Sequence, residues 1–241
     1  WNVQQDYLEI TEMPFYWRLS DTKEQSRIPA RMPITVTCRE EYDYLEFCPT
    51  DSEWRALNDA YKQNANIGFV NPESGQIETY GSSVNQFFLD VVVAYSPEKI
   101  YEIGCGAGFS IEFLKGHGFN VTGIDPSEYS LKWSKKLGFD LFNEFFDEQS
   151  LTGKADFIYC NDVFEHVPKA DQFSKAVYAA LKHGGVFCFA TTNSTQSIRV
   201  GDISMLEHQH VNMFTERSIH LLLLNAGFRD IKVVSGSYGN T

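Results

Sequence analysis

Three glycines and two acids carry the densest chemical signal in this chain. They lie in Lys99-Ile-Tyr-Glu-Ile-Gly-Cys-Gly-Ala-Gly-Phe109 and in Asn120-Val-Thr-Gly-Ile-Asp-Pro-Ser127. Gly104, Gly106 and Gly108 lack Cβ, so the backbone can turn sharply from a strand into a helix while a ligand comes close to the main chain. Asp125 stands at the tip of a second short strand, where a carboxylate can accept both hydroxyls of a ribose. Strand, glycine turn, helix, strand and acid in that order point to a nucleotide-type cofactor site. A dinucleotide fingerprint sets a helix N-terminus against a pyrophosphate anion, and Glu102 at the end of the first strand is a poor neighbour for one. An acid there suits a ligand that carries positive charge.

The order Glu102-x-Gly104-x-Gly106-x-Gly108 resembles the first motif of the class I S-adenosylmethionine-dependent methyltransferases. The resemblance covers about residues 80–235 and implies S-adenosyl-L-methionine as cofactor, with S-adenosylhomocysteine as product. It implies that Glu102, Gly104, Cys105, Gly106 and Gly108 hold the methionine half, that Asp125 holds the ribose, and that Pro126 and Phe146 flank the adenine. Asp156-Phe-Ile-Tyr-Cys-Asn-Asp-Val-Phe-Glu-His-Val167 is similar to a segment that many of these enzymes carry. Its position implies that Asn161 and Asp162 lie beside the reacting methyl group.

Two local resemblances bear on the acceptor. If residues 162–167 are helical, Asp162, Glu165 and His166 share one face at i, i+3 and i+4. That trio looks like the metal-binding acid-acid-histidine cluster of some quinone-pathway O-methyltransferases, with Asp where a Glu is expected. No metal is assigned, because a Glu-His pair also serves to cap and brace a loop. Glu207-His-Gln-His-Val-Asn-Met-Phe-Thr215 resembles the H-E-H-x-x-x-F segment of sugar C-methyltransferases, with His208, His210 and Phe214 in register and Gln209 in place of the acid. A carboxylate there could orient or charge-balance a histidine, which an amide cannot. Tyr80-Gly-Ser-Ser-Val84 resembles a further segment of the same relatives, although Ser82 and Ser83 also suit a helix N-cap. Histidine has the unperturbed pKa to take a proton near neutral pH. His210 is accordingly the first candidate base, followed by His208, His166 and Tyr80. The expected function is methyl transfer to a small-molecule acceptor, a sugar or glycan precursor first. A metal-assisted quinone-type O-methyltransferase and a non-catalytic scaffold of the same fold are the alternatives.

The elements that must position these residues alternate. Helix is expected over residues 82–93, 108–116, 128–137, 171–181 and 215–226, and strand over 99–103, 120–124, 140–142, 156–160, 186–190 and 231–235. Such alternation predicts an α/β, Rossmann-like, doubly wound and mostly parallel sheet with helices on both faces. The ligand then sits at the carboxyl edge of the strands. The methyltransferase domain is expected over residues 81–241, although the antiparallel strand that usually ends the fold is not found. Residues 1–80 show little period and many aromatics, and read as an N-terminal extension or lid that contributes to the substrate pocket. Within it, residues 52–66 read as a helix and 71–75 as a turn.

Composition bounds the function. The chain has 241 residues and a net charge of −12, which argues against a nucleic-acid backbone as partner. No apolar run approaches the ~20 residues of a membrane-spanning helix, and the expected location is the cytoplasm. The five cysteines show no disulfide framework, and Cys38 with Cys48 makes a poor zinc pair. The chain begins at Trp1, as expected of a piece cut from a longer protein.

Overall fold

The computed structural model describes residues 7–14, 31–63, 79–147, 149–151, 154–202, 204 and 206–234. The chain divides into two compact units, Trp1–Ala60 with Phe164–Ser174 and Thr191–Thr241, and Tyr61–Val163 with Lys175–Ala190. This division differs from the boundary expected at residue 80, because late segments return to join the N-terminal residues in one unit.

The first unit is built on an antiparallel sheet where the sequence suggested little regular structure. Strands β1 (Tyr7–Pro14), β2 (Arg31–Arg39) and β3 (Tyr44–Phe47) pair in order, and β9 (Asn212–Met213) pairs with β3. The signal for β2 is its alternation: Met32, Ile34 and Val36 point inward and are buried. Aromatic rings fill this unit, with Phe214 lying 5.2 Å from Tyr44 and 4.9 Å from Phe164. Helix α1 (Asp51–Gln63) is close to the expected helix, and residues 64–66, with the expected turn at 71–75, fall outside the described residues. Helices α6 (Thr195–Val200) and α7 (Glu216–Ala226) complete the unit. Thr215 caps α7 by accepting the Ser218 N–H, while the Ser218 hydroxyl accepts the Thr215 N–H.

The second unit holds the parallel sheet that the sequence predicts. It runs β6 (Leu141–Phe142), β5 (Val121–Ile124), β4 (Ile100–Ile103), β7 (Ala155–Asn161) and β8 (Leu181–Ala190), with every pairing parallel. Helices α2 (Thr79–Tyr95), α3 (Phe109–Gly116) and α4 (Glu128–Leu137) belong to it, and α5 (Ala170–Ala180) leads into β8. Phe88, Leu89 and Val92 of α2 pack with Ile111 and Leu114 of α3 on Ile100, Val121, Phe157 and Tyr159 of the sheet. The expected strand at 231–235 is not formed over residues 231–234, which lie in no regular element, and Ser235 is outside the described residues. No helix among the described residues is long and apolar enough to cross a membrane.

All three glycines of the motif have positive φ: 72° at Gly104, 51° at Gly106 and 73° at Gly108. Cβ atoms added at Gly104 and Gly108 would run into Val163 and Phe139 respectively. Gly138 also has positive φ, at 69°, but an added Cβ there meets nothing within 4 Å. Gly138→Ala is therefore expected to lower the unfolding free energy by only the ~1–2 kcal/mol of a left-handed non-glycine residue. Gly104→Ala and Gly108→Ala, which add a steric clash, are expected to lose more than that in the same denaturant titration.

Candidate functional site

The register of the parallel sheet brings the motif ends together. Ile103 pairs with Ile124 on one side and with Cys160 on the other, so Gly104, Asp125 and Asn161 follow at one carboxyl edge. The Asp125 carboxylate ties this edge down. One oxygen accepts the Gly106 N–H at 2.9 Å, and the other accepts the Ser127 N–H at 2.9 Å and the Ser127 hydroxyl at 2.6 Å. A carboxylate offers about four lone-pair positions, so three protein donors leave Asp125 room for about one ligand hydroxyl rather than two. Asn143 adds a brace by donating to the Asp125 and Ser127 carbonyls.

Glu102 is buried beneath the glycine turn, with Tyr159 donating its hydroxyl to the carboxylate at 3.0 Å. Ser110 of α3 in turn donates to the Tyr159 oxygen at 3.2 Å. Burial pushes the Glu102 carboxyl up to about 8, with the Tyr159 hydrogen bond opposing the shift and the nearby Asp125 charge adding to it. Cys105 points its thiol into the core, where burial raises its pKa, so only its backbone can face a ligand. Pro126 and Phe146 are half-buried in the loops after β5 and β6. Asn161 donates to the Asp162 carboxylate at 3.3 Å, while its own buried side-chain oxygen has no hydrogen-bond partner.

Asp162 has φ of +48°, so residues 162–167 do not form the expected helix, and the shared face of Asp162, Glu165 and His166 does not arise. Only Phe164–His166 form a single 3-10 turn. Asn212, on β9, fixes this turn by donating its side-chain amide to the carbonyls of Phe164 at 3.2 Å and Val167 at 2.7 Å.

In this same unit the histidines separate into different roles. His208 is 1% exposed, and its Nε2 donates to the Met32 carbonyl at 3.0 Å. Its ring also stands edge-on to Phe47, so it braces β2 and β3 rather than serving as an open base. His166 donates from Nδ1 to the Gln209 carbonyl at 2.7 Å, and burial lowers its pKa. The His166 and His210 rings lie 5.0 Å apart. Glu207 places a carboxylate oxygen 3.0 Å from His210 Nδ1, supplying the charge that Gln209 cannot. Glu165 is fully buried; one oxygen accepts the Thr191 hydroxyl at 2.8 Å and the other has no hydrogen-bond partner. Burial raises the Glu165 pKa, an effect opposed by hydrogen bonds and by the charge of His210. One donor atom each from Glu165, His166 and His210 lies within 4.8 Å of the others, and among the described residues no other group of three meets this spacing.

Tyr80 falls at the second position of α2, and its side chain is outside the described residues. Ser82 and Ser83 lie inside the helix rather than at its N-cap, because α2 begins at Thr79. Tyr159, Thr191, Glu207 and Asn212 escaped the sequence reading. For Glu207 the available signal was its place three residues before His210.

A family model described as a methyltransferase domain matches residues 76–233. The chain is 32% identical over 105 residues to the ubiquinone biosynthesis O-methyltransferase of Bordetella avium, covering 39% of this chain and 43% of that protein. It is 28% identical over 132 residues to the protein of the same name from Idiomarina loihiensis, covering 51% and 53%. The chain thus spans about half the length of the curated relatives it matches. A crystal structure of a SAM-dependent methyltransferase from Archaeoglobus fulgidus has a similar fold, with a TM-score of 0.51 and 20% identity over 61% of this chain and 71% of that one.

Two measurements check the local chemistry. Between the ordinary Glu value of 4.5 and about 8, the folded chain keeps the Glu102 proton that the unfolded chain has lost. This group therefore lowers stability as pH rises through that window, by up to ~1.4 kcal/mol per pH unit, and the fall levels off above it. Glu102→Gln is expected to remove this part of the pH dependence in urea titrations. Asn212→Ala strands two turn carbonyls and is expected to lower stability by about 2 kcal/mol in the same assay.

Proposed function

This chain belongs to the methyltransferase domain family, whose cofactor is S-adenosylmethionine, and we propose that it methylates a hydroxyl of a small-molecule acceptor. The candidate general base for the acceptor's proton is taken from the cluster of Glu165, His166 and His210 in the antiparallel-sheet unit. The observation that carries this reading is the cluster itself: two imidazoles 5.0 Å apart beside a fully buried carboxylate.

The residues of the parallel-sheet unit fit the cofactor. Its sulfonium and ammonium groups are positive, and this edge offers a buried carboxyl at Glu102 and an unpartnered oxygen on Asn161. Asp125 retains capacity for one ribose hydroxyl, and the glycine turn presents its backbone to the methionine half. Pro126 and Phe146 offer half-buried surface to the adenine. When bound, S-adenosylmethionine supplies a methyl group already activated on a sulfonium. The chain's own residues then need to hold the reactants in line and to take charge of the acceptor's proton.

Oxygen is the favoured acceptor atom because the curated relatives are named O-methyltransferases. The sugar reading rested partly on a pair of histidines, and His208 is engaged in packing, which leaves His210 to carry that resemblance. Sugar hydroxyls therefore stand second to those of other small molecules.

The test measures S-adenosylhomocysteine release over a panel of hydroxylated aromatic and sugar-nucleotide acceptors, with cofactor binding followed by calorimetry. His210→Ala is expected to reduce turnover about 100-fold or more while S-adenosylhomocysteine binds as before. Full turnover in that variant would remove the cluster from the reaction.

A further inference from the structure

A groove of about 340 Å³ runs between the antiparallel sheet and α6, at the lower end of the roughly 300–1,000 Å³ of small-molecule sites. All of its lining residues belong to this one unit. The strand register explains its floor. Leu8 pairs with Val36, Cys38 with Leu45 and Leu45 with Met213, and Val36 and Cys38 are two residues apart on β2, so these side chains share one sheet face. Asn212, next to Met213, faces the other way, toward the turn of Glu165 and His166. The groove and that turn therefore lie on opposite faces of β9.

Two polar features interrupt the apolar lining. Ser194, which precedes α6, is 1% exposed; its N–H donates to the Phe214 carbonyl at 2.8 Å, but its buried hydroxyl has no hydrogen-bond partner. An unsatisfied buried hydroxyl is costly, so this one marks a place for a polar atom of a ligand. Beyond the other end of α6, Asp202 is exposed, and among the described residues that line the groove it is the one charged side chain. It accepts the Ser204 N–H at 2.9 Å, and hydrogen bonds from Ser204 hold its carboxyl below the usual range, so it stays ionised. The net charge of −12 likewise favours cations over anions. From Ser194 to Asp202 the chain covers about 12 Å at about 1.5 Å per helical residue. Leu8 and Ile198 border the groove with exposed apolar side chains.

We propose that this groove binds a small amphiphilic amine, with its ammonium end at Asp202, its apolar chain on the sheet face, and a hydroxyl or carbonyl at its buried end paired with Ser194. The site goes beyond the methyl-transfer reading and does not depend on it. An extended chain of about eight carbons covers the distance between the two polar anchors. An acidic amphiphile would set its carboxylate against the like charge of Asp202.

The test titrates the purified chain with ω-aminooctanol, octylamine and ω-hydroxyoctanoate by calorimetry, while a thiol-alkylating reagent reports on Cys38. Cys38 is an exposed free cysteine in the groove lining, and Cys48, also exposed and free, lies outside it as an internal control. One equivalent of ω-aminooctanol is expected to bind and to slow alkylation of Cys38 but not of Cys48. Octylamine, which lacks the hydroxyl, is expected to bind about fivefold more weakly, and Ser194→Ala to erase that difference. Asp202→Asn is expected to weaken ω-aminooctanol about threefold. Leu8→Lys, which sets a cation on the groove wall, is expected to weaken it about tenfold or more. Leu8 and Asp202 are exposed, so these two variants are expected to fold as the unaltered chain does, which thermal melts check. Absence of saturable ω-aminooctanol binding, equal protection of both cysteines, or equally tight binding of ω-hydroxyoctanoate would overturn the proposal. Any of these results leaves the hydroxyl-methylation reading to stand or fall on His210→Ala turnover.

Discussion

A buried carboxylate that lacks a cation has to be satisfied by hydrogen-bond donors, and Asp125 meets this requirement in a way that organises the whole parallel-sheet edge. Its two oxygens reach the Gly106 N–H in one direction and both donors of Ser127 in the other. The first contact fixes the turn between β4 and α3. The second fixes the start of α4, whose N-cap Ser127 in turn accepts the Ser130 N–H. One side chain thus sets the relative position of two strand-to-helix turns, and the glycines supply the left-handed backbone that lets the first turn come close enough. Glu102 stands apart from this arrangement. Its carboxyl accepts the Tyr159 hydroxyl, and no cation stands among the groups that shift its pKa, so it holds a proton to about pH 8 and remains the acid most ready to answer a positive ligand.

The antiparallel-sheet unit solves a comparable problem with an amide. Asn212 sits on a two-residue strand paired to β3, and both of its amide hydrogens are committed to the turn that carries Glu165 and His166. This side chain ties the position of that turn to the sheet. The Gln209 carbonyl then orients His166, and Glu207 meets His210. Gln209 thus serves one imidazole through its backbone, and Glu207 places a carboxylate beside the other. His208 shows the opposite outcome for a neighbouring residue of the same type, since full burial against Met32 and Phe47 turns its chemistry into packing.

Much of the parallel-sheet unit was legible because its signals are local. Glycines at alternate positions, a short β-branched strand before them and an acid after the next strand each constrain only their neighbours, and helix α4 occupies the same residues that its pattern predicts. The antiparallel sheet was harder to see. β1 is largely exposed and β9 is two residues long, so neither shows a hydrophobic period, although the Met32, Ile34 and Val36 alternation in β2 was there to be read. The helical face expected for Asp162, Glu165 and His166 failed because spacing alone does not fix backbone conformation. Asp162 takes a left-handed φ as it leaves β7, its N–H bonded to the Ala190 carbonyl on the neighbouring strand.

By itself, then, the sequence determined the order of units in the parallel sheet, the glycine turn and the acids at its edge, since these follow from steric freedom and short-range periodicity. Tertiary structure alone decided that His166 and His210 face each other beside Glu165. His166 and Gln209 are 43 positions apart, a pairing that no local spacing records. They meet because an antiparallel pairing between β3 and β9, and the amide of Asn212, bring a late loop onto an earlier turn.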